Sequence, residues 1–293
     1  MECKLEGVYS AIFSVYDENL RVKKNTVQQM VNYQLENGLK GFYVCGNTGE
    51  CTILPETTRK EMLEAVVEAN NGRGEIIAHI GAGHFDETVR LVDHANTQEI
   101  DAIASLPPSL TPYYNINETL AYYAELAKRS KHPVIAYITP VLRGNPVEFA
   151  EKLLQIPNIG GIKLTIGDYY SFGAITALKE GKVNVLNGPD ETLICGLSVG
   201  AQGAIGTTYN FVPDWAKRIY DSFKKGDLQE ALKMQRKLNR IINLGLGKPI
   251  SYWKEMLALR GFDMGYTIFP GGSVSKAESE ELKVKLQALE FFV

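Results

Sequence analysis

From residue 7 to residue 205, short apolar runs alternate with longer segments of helical period, and this alternation constrains the fold more than any single motif. Eight runs read as strands: residues 7–14, 41–44, 75–79, 101–105, 133–138, 160–164, 183–187 and 203–205. Val134-Ile135-Ala136-Tyr137-Ile138 is apolar without alternation, the pattern of a parallel strand buried on both faces. Between the runs lie amphipathic segments such as 24–37, 56–70 and 116–130. In the second of these, Met62, Leu63, Val66 and Val67 fall on one face at helical spacing. Eight strand–helix units in series predict an α/β chain folded as a (β/α)8 TIM barrel.

After Lys225 the strand signals stop. Residues 227–244, 249–260 and 277–292 read as helices, with Pro249 at a helix start and Gly271-Gly272-Ser273 as a loop before the last one. The expected organisation is therefore a catalytic barrel over 1–225 and a small C-terminal helical extension over 226–293. A length of 293 residues fits one barrel plus such an extension. The formal charge of −3 excludes a strongly basic nucleic-acid binder, because no cation excess exists to neutralise phosphates. No apolar run reaches the ~18 residues of a membrane span, and from the polar start Met1-Glu2-Cys3-Lys4 no signal peptide is expected. The four cysteines, Cys3, Cys45, Cys51 and Cys195, form no C-x-x-C pair. Free thiols in a reducing, cytoplasmic setting are expected.

In such a barrel, chemistry gathers where strands end and βα loops begin. Lys163 lies inside the apolar, Gly-rich run Gly160-Gly161-Ile162-Lys163-Leu164-Thr165. Lysine is almost never buried without a reason. Desolvation disfavours the ammonium and supplies the free amine that attacks a carbonyl. A snorkelling lysine or a structural ion pair are the alternatives. Tyr137 is at the end of the preceding strand, where a phenol can relay a proton or simply pack. Gly46-Asn47-Thr48-Gly49-Glu50 follows the second strand, and its glycines allow φ > 0 and a carboxylate-binding nest, or a plain turn. Asp190 and Glu191 follow Asn187-Gly188-Pro189 and suit either sugar hydroxyls or a helix start. His79, His84 and His94 raise a metal-dependent lyase as a competing idea, but their spacing matches no compact metal motif, and His94 falls mid-helix in 88–96.

Five segments, in order, resemble the family of N-acetylneuraminate lyase and dihydrodipicolinate synthase. They are Gly41-Phe42-Tyr43-Val44-Cys45-Gly46-Asn47-Thr48-Gly49-Glu50; Pro112-Tyr113-Tyr114; Tyr137 with Pro140 and Gly144; Gly161-Ile162-Lys163-Leu164-Thr165; and Gly206-Thr207-Thr208-Tyr209-Asn210. The resemblance implies a class I, Schiff-base pyruvate aldolase on a (β/α)8 barrel, with no metal or organic cofactor. It implies Lys163 as the Schiff-base residue, Tyr137 as the proton shuttle and Asn47 and Thr48 as the carboxylate holders. A tyrosine of the Tyr113-Tyr114 pair, Tyr114 before Tyr113, is implied to support Tyr137 from a neighbouring subunit, and the resemblance also implies a homotetramer. Thr165, Gly188, Asp190, Glu191, Gly206 and Thr207 would face the rest of the substrate.

Within that family, the lyase branch fits better. The synthase branch carries an arginine five residues after its catalytic tyrosine, where this chain has Leu142, with Arg143 one place later. Leu186-Asn187-Gly188-Pro189-Asp190-Glu191 resembles the lyase segment that binds the hydroxylated tail of sialic acid, and Lys163-Leu164-Thr165 with Gly167-Asp168 resembles the lyase version too. The implied partners are thus a small keto sugar acid and pyruvate, with N-acetylneuraminate first. Other 2-keto-3-deoxy sugar acids, a synthase-like pyruvate condensation and a silent keto-acid binder are the alternatives. The departures are Asn47-Thr48 where Ser-Thr is usual, Ile138-Thr139-Pro140 where Asn-Ile-Pro is common, and Pro189 in place of a bulkier residue. Asparagine donates an N–H to a carboxylate but cannot relay a proton as a hydroxyl does.

Overall fold

The computed structural model describes residues 4–107, 114–140, 142 and 144–292. Cys3, Pro112, Tyr113 and Arg143 lie outside the described residues. Eight parallel strands close into a barrel in sequence order. They are β1 (Gly7–Ala11), β2 (Gly41–Val44), β3 (Glu75–His79), β4 (Ala102–Ser105), β5 (Val134–Ile138), β6 (Ile159–Leu164), β7 (Val185–Asn187) and β8 (Gly203–Gly206). The helices between them are α1 (Lys24–Glu36), α2 (Glu56–Asn70), α3 (Phe85–Ala95), α4 (Ile116–Arg129), α5 (Pro146–Leu153), α6 (Tyr169–Thr176), the short turn α7 (Leu178–Gly181) and α8 (Leu193–Ser198). Then follow α9 (Pro213–Lys224), α10 (Leu228–Gly245), α11 (Ile250–Ala258) and α12 (Lys276–Gln287).

The barrel separates two cores. An inner one holds Tyr9 and Ala11 of β1, Tyr43 of β2, Ile77 of β3, Ile135 of β5, Leu186 of β7 and Ile205 of β8. The outer one, far larger, packs alternate strand residues such as Val8, Phe42, Ile103, Val134 and Ile162 against the helices. Both faces of every strand are thus covered, which is why the strand sequences are apolar without alternation. Side chains two residues apart share a strand face. The inward row continues upward from Ile135 to Tyr137, from Leu186 to Gly188 and from Ile205 to Thr207, so the barrel mouth is built by extending the inner core.

Most strands match their predicted spans within a residue or two. β1 is the exception and stops at Ala11 rather than Ser14. Ile12 donates one last backbone bond to Tyr43 (3.1 Å), and the chain then turns so that the Ser14 hydroxyl reaches the carbonyl of Gly49 (2.8 Å). β7 starts late, at Val185, whose N–H is taken by the Gln202 side chain (2.6 Å) instead of a strand partner. The C-terminal helices do not stand apart from the barrel. α10 packs along α9, and Met234, Leu238, Ile241, Met256 and Leu257 join the outer core.

Because the inner core is a packed solid, Ile135→Ala is expected to cost about 2–5 kcal/mol. Chemical denaturation measures this. A change within error of zero would mean that the barrel interior is not load-carrying packing.

Candidate active site

Lys163 and Tyr137 face each other across the β5–β6 ladder as direct register partners. Both point inward at the top of the barrel. Lys163 is buried, with 5% of its surface exposed, and Tyr137 with 7%. The Lys163 Nζ lies 4.2 Å from the centre of the Tyr137 ring and 4.4 Å from that of Tyr43. Among the described residues only Lys163 and Lys254 are buried lysines. Lys254 is ion-paired with Glu50 at 2.6 Å, whereas Lys163 has no ion-pair partner among the described residues. Of the two alternatives for Lys163, the structural ion pair is therefore absent and the snorkelling surface lysine does not fit its burial. The Tyr137 hydroxyl accepts a hydrogen bond from Thr165 Oγ1 (3.1 Å), which fixes it above the lysine. Tyr43 was not singled out from sequence. Its hydroxyl is buried without a protein partner, and burial holds its pKa well above the ordinary range.

The loop after β2 presents Asn47 exposed and Thr48 buried. Its glycines do not supply the positive φ expected of them. Cys45 and Glu50 take it instead, at 56° and 60°. Gly46 and Gly49 are required for space: a Cβ on Gly46 would lie 2.4 Å from the Tyr43 ring, and one on Gly49 would meet the Cys45 backbone at 3.0 Å. Thr48 Oγ1 is hydrogen-bonded to Thr207 Oγ1 across the mouth (2.6 Å). Only one of these hydroxyls can donate to the other, so the second proton is left free to point at a ligand.

At the ends of β7 and β8 the packing is equally tight. A Cβ on Gly188 would sit 1.9 Å from Thr165 Oγ1, and one on Gly206 would be 2.6 Å from Asp190 Oδ1. Asp190 and Glu191 do not cap their own helical turn. Asp190 is buried, and its Oδ2 accepts from both the N–H and the hydroxyl of Thr208 (2.6 Å each). It therefore ties the β7 turn to the β8 turn. Burial raises its pKa to about 6, against the lowering effect of the Thr208 bonds. Glu191 is exposed at the rim. Asp168, next to Gly167, caps α6 by accepting from the N–H groups of Tyr170 and Ser171.

These groups line one open cavity of about 750 Å³ that contains Asn47, Thr48, Tyr137, Lys163, Thr165, Gly188, Asp190, Glu191 and Thr207. Part of its wall comes from the extension, through Ile242, Ile250 and Trp253. Sequence reasoning missed these residues. One signal was present: Lys254 lies on the apolar face of α11, among buried Tyr252, Met256 and Leu257, the same anomaly that marked Lys163. α10 also reaches the site. Gln235 donates to the Asp190 carbonyl and Asn239 to the Glu191 carbonyl (3.0 Å each).

The model of the dihydrodipicolinate synthetase family matches residues 4–289. The chain belongs to this family. An N-acetylneuraminate lyase of Rhizobium meliloti (strain 1021) is 34% identical over 284 residues, 96% of this chain and 94% of its own. Among solved structures, the N-acetylneuraminate lyase of Proteus mirabilis superposes with a TM-score of 0.92 at 25% identity, covering 98% of this chain and 99% of that one. A Ruminococcus gnavus sialic acid aldolase, described as a catalytic lysine mutant, gives 0.90 at 25% identity and covers 100% and 97%.

Within this family member the remaining candidates are scattered. Tyr114 is 44% exposed and lines two other cavities on the single chain, away from Lys163. The histidines serve separate structural ends. His79 is buried and accepts the Leu106 N–H at 3.1 Å, and burial, then the charges of Arg59 and Lys163, push its pKa well below the ordinary value. His84 caps α3, and His94, in the last turn of α3 rather than mid-helix, meets Glu64 at 2.8 Å. Among the described residues no group of His, Cys, Asp or Glu is arranged to hold a metal ion.

Two outcomes follow from this geometry. Gly188→Ala should displace the Thr165 hydroxyl and with it Tyr137, lowering kcat/KM while circular dichroism stays native; unchanged kinetics would show that Thr165 does not hold the phenol. Asp190 binds its proton more tightly folded than unfolded, so its contribution to stability is full below about pH 4 and is lost as pH rises through about 6. Thermal unfolding of Asp190→Asn across that window should lack this decline, and parallel curves for the two proteins would contradict it.

Proposed function

We propose that the protein cleaves a 2-keto sugar acid reversibly to pyruvate and an aldehyde through a Schiff base on Lys163, with N-acetylneuraminate as substrate and N-acetylmannosamine as the aldehyde. The observation that carries this is the buried amine of Lys163, without an ion-pair partner among the described residues, held against Tyr137 in a cavity large enough for a sugar acid. Family membership and the lyase names of the relatives support the same reading.

In this scheme the free amine of Lys163 attacks the C2 ketone of the open-chain substrate. Tyr137 protonates the departing hydroxyl, and loss of water leaves a protonated imine. The imine is an electron sink. The Tyr137 oxygen, held by Thr165, takes the proton of the C4 hydroxyl, the C3–C4 bond breaks, and its electron pair flows into the imine to give an enamine of pyruvate. The aldehyde leaves. Protonation at C3 and addition of water then release pyruvate and restore the amine. Thr48, oriented by Thr207, and the Asn47 amide hold the C1 carboxylate. Glu191 and the Gly188 and Gly206 turns meet the hydroxylated tail, with Asp190 holding those turns together.

Tyr114 is exposed on the single chain, which supports a role across a subunit boundary: in a homotetramer it would reach the Tyr137 of a neighbouring copy. A cytoplasmic location completes the proposal; no helix among the described residues is long and apolar enough to cross a membrane. A second reading, a lyase for another 2-keto-3-deoxy sugar acid, is favoured by one feature. Pro189 lines the cavity where a bulkier side chain is usual, which changes the shape offered to the tail.

Pyruvate release from N-acetylneuraminate, followed with a coupled dehydrogenase, tests the proposal. Lys163→Ala should release none, and Tyr137→Phe should be slower by ~10²–10⁴-fold. Near-normal turnover by Lys163→Ala would end the Schiff-base mechanism. Release from other 2-keto-3-deoxy acids but not from N-acetylneuraminate would move the assignment to the second reading.

A further inference from the structure

We infer that helix α11 of the extension belongs to the catalytic unit, and that Lys254 is a positioning residue that sets the Asn47–Thr48 loop by gripping Glu50. The inference rests on the reading of that loop as the carboxylate holder. Glu50 and Lys254 are both buried, at 5% and 3% exposure, and their side chains meet at 2.6 Å. The second carboxylate oxygen of Glu50 accepts the Tyr16 hydroxyl (2.9 Å), and Lys254 Nζ stands 4.6 Å from the centre of the Tyr16 ring. Lys254 also donates to the Tyr266 carbonyl (3.4 Å), while the Tyr266 N–H donates to the Tyr16 carbonyl (2.8 Å). Two separate chain segments, at Tyr16 and Lys254, therefore converge on one carboxylate, and a third, at Tyr266, ties those two together.

That carboxylate is close to the chemistry. Glu50 has the left-handed φ of 60° that turns the loop, and its N–H donates to the Asn47 carbonyl (3.0 Å). Cys51 closes the same turn on Gly46 (3.2 Å). Holding Glu50 by its side chain therefore fixes where Asn47 and Thr48 stand. On the same helix, Ile250 and Trp253 form cavity wall. One rigid element thus sets both the loop and the opposite surface.

A purely stabilising role is the competing explanation, and it is the weaker one. Replacing a buried ion pair by uncharged groups of similar shape is often neutral or favourable for stability. What the pair adds over such groups is direction: a charge-assisted bond of fixed length between a loop and a helix.

The test compares the unsubstituted protein with Lys254→Met, Lys254→Arg and the double variant Glu50→Gln/Lys254→Met. Borohydride inactivation at graded pyruvate reads loop geometry through the half-saturating concentration, with no sugar present. Lys254→Met and the double variant should need about 10–100-fold more pyruvate. Lys254→Arg should show a smaller rise. The double variant should keep a thermal midpoint near that of the unsubstituted protein, which separates position from stability. A double variant that recovers both the midpoint and the pyruvate dependence would overturn the inference. Amide exchange over residues 46–51 gives a ligand-free readout and should quicken in Lys254→Met. Unchanged exchange there would also overturn it. A lack of trapping in the unsubstituted protein would count instead against the Schiff-base reading, leaving the exchange result to decide the loop's attachment.

Discussion

The pairing of β5 with β6 sets everything that follows. Its register puts Tyr137 directly opposite Lys163, on the face that the inner core occupies one layer below. A slip of one residue on either strand would turn one of these side chains outward into the helix layer. The closed barrel prevents that slip, since each strand is locked by two neighbours and both its faces are buried. The amine and phenol therefore meet because the fold leaves them no other place, and the aromatic faces of Tyr43 and Tyr137 complete a setting in which no carboxylate among the described residues pairs the amine.

Around this pair the site is assembled from ties between loops. Thr165 ties β6 to Tyr137, Thr48 ties the β2 loop to Thr207, and Asp190 ties the β7 turn to that of β8. The first leaves no room for a Cβ at Gly188, and the third none at Gly206. The extension adds a further layer, with Gln235 and Asn239 on the β7 turn and Lys254 on the β2 loop. Helices that follow the barrel in sequence thus act as its brace at the catalytic end.

Much of this was legible in the sequence, and the reasons differ by element. The strands were, because burial on both faces forces apolar runs that polar loops interrupt. Lys163 was, because a lysine among apolar and glycine residues conflicts with its surroundings and such conflicts mark sites. The jobs of individual residues were less so. Asp190 suited either sugar hydroxyls or a helix start, yet its carboxylate accepts from Thr208, 18 positions away, a partner that no local pattern can reveal. The loop glycines were read for φ, whereas their cost is steric and set by Tyr43 and Cys45. Lys254 carried the same anomaly as Lys163 but sat in a segment read only as a helical extension outside the barrel. Tyr114 stands apart from the Lys163 cavity on a single chain and lines two others, a placement that no local pattern in the sequence reveals.

The Schiff-base chemistry proposed for this site depends on which lysine carries the reactive amine. Among the described residues two are buried, and they differ in whether a carboxylate there holds them. Peptide mapping by mass spectrometry after borohydride reduction with pyruvate distinguishes them. A single reduced pyruvate on the peptide containing Lys163 is the predicted result. An adduct on Lys254, or none on either, would contradict it.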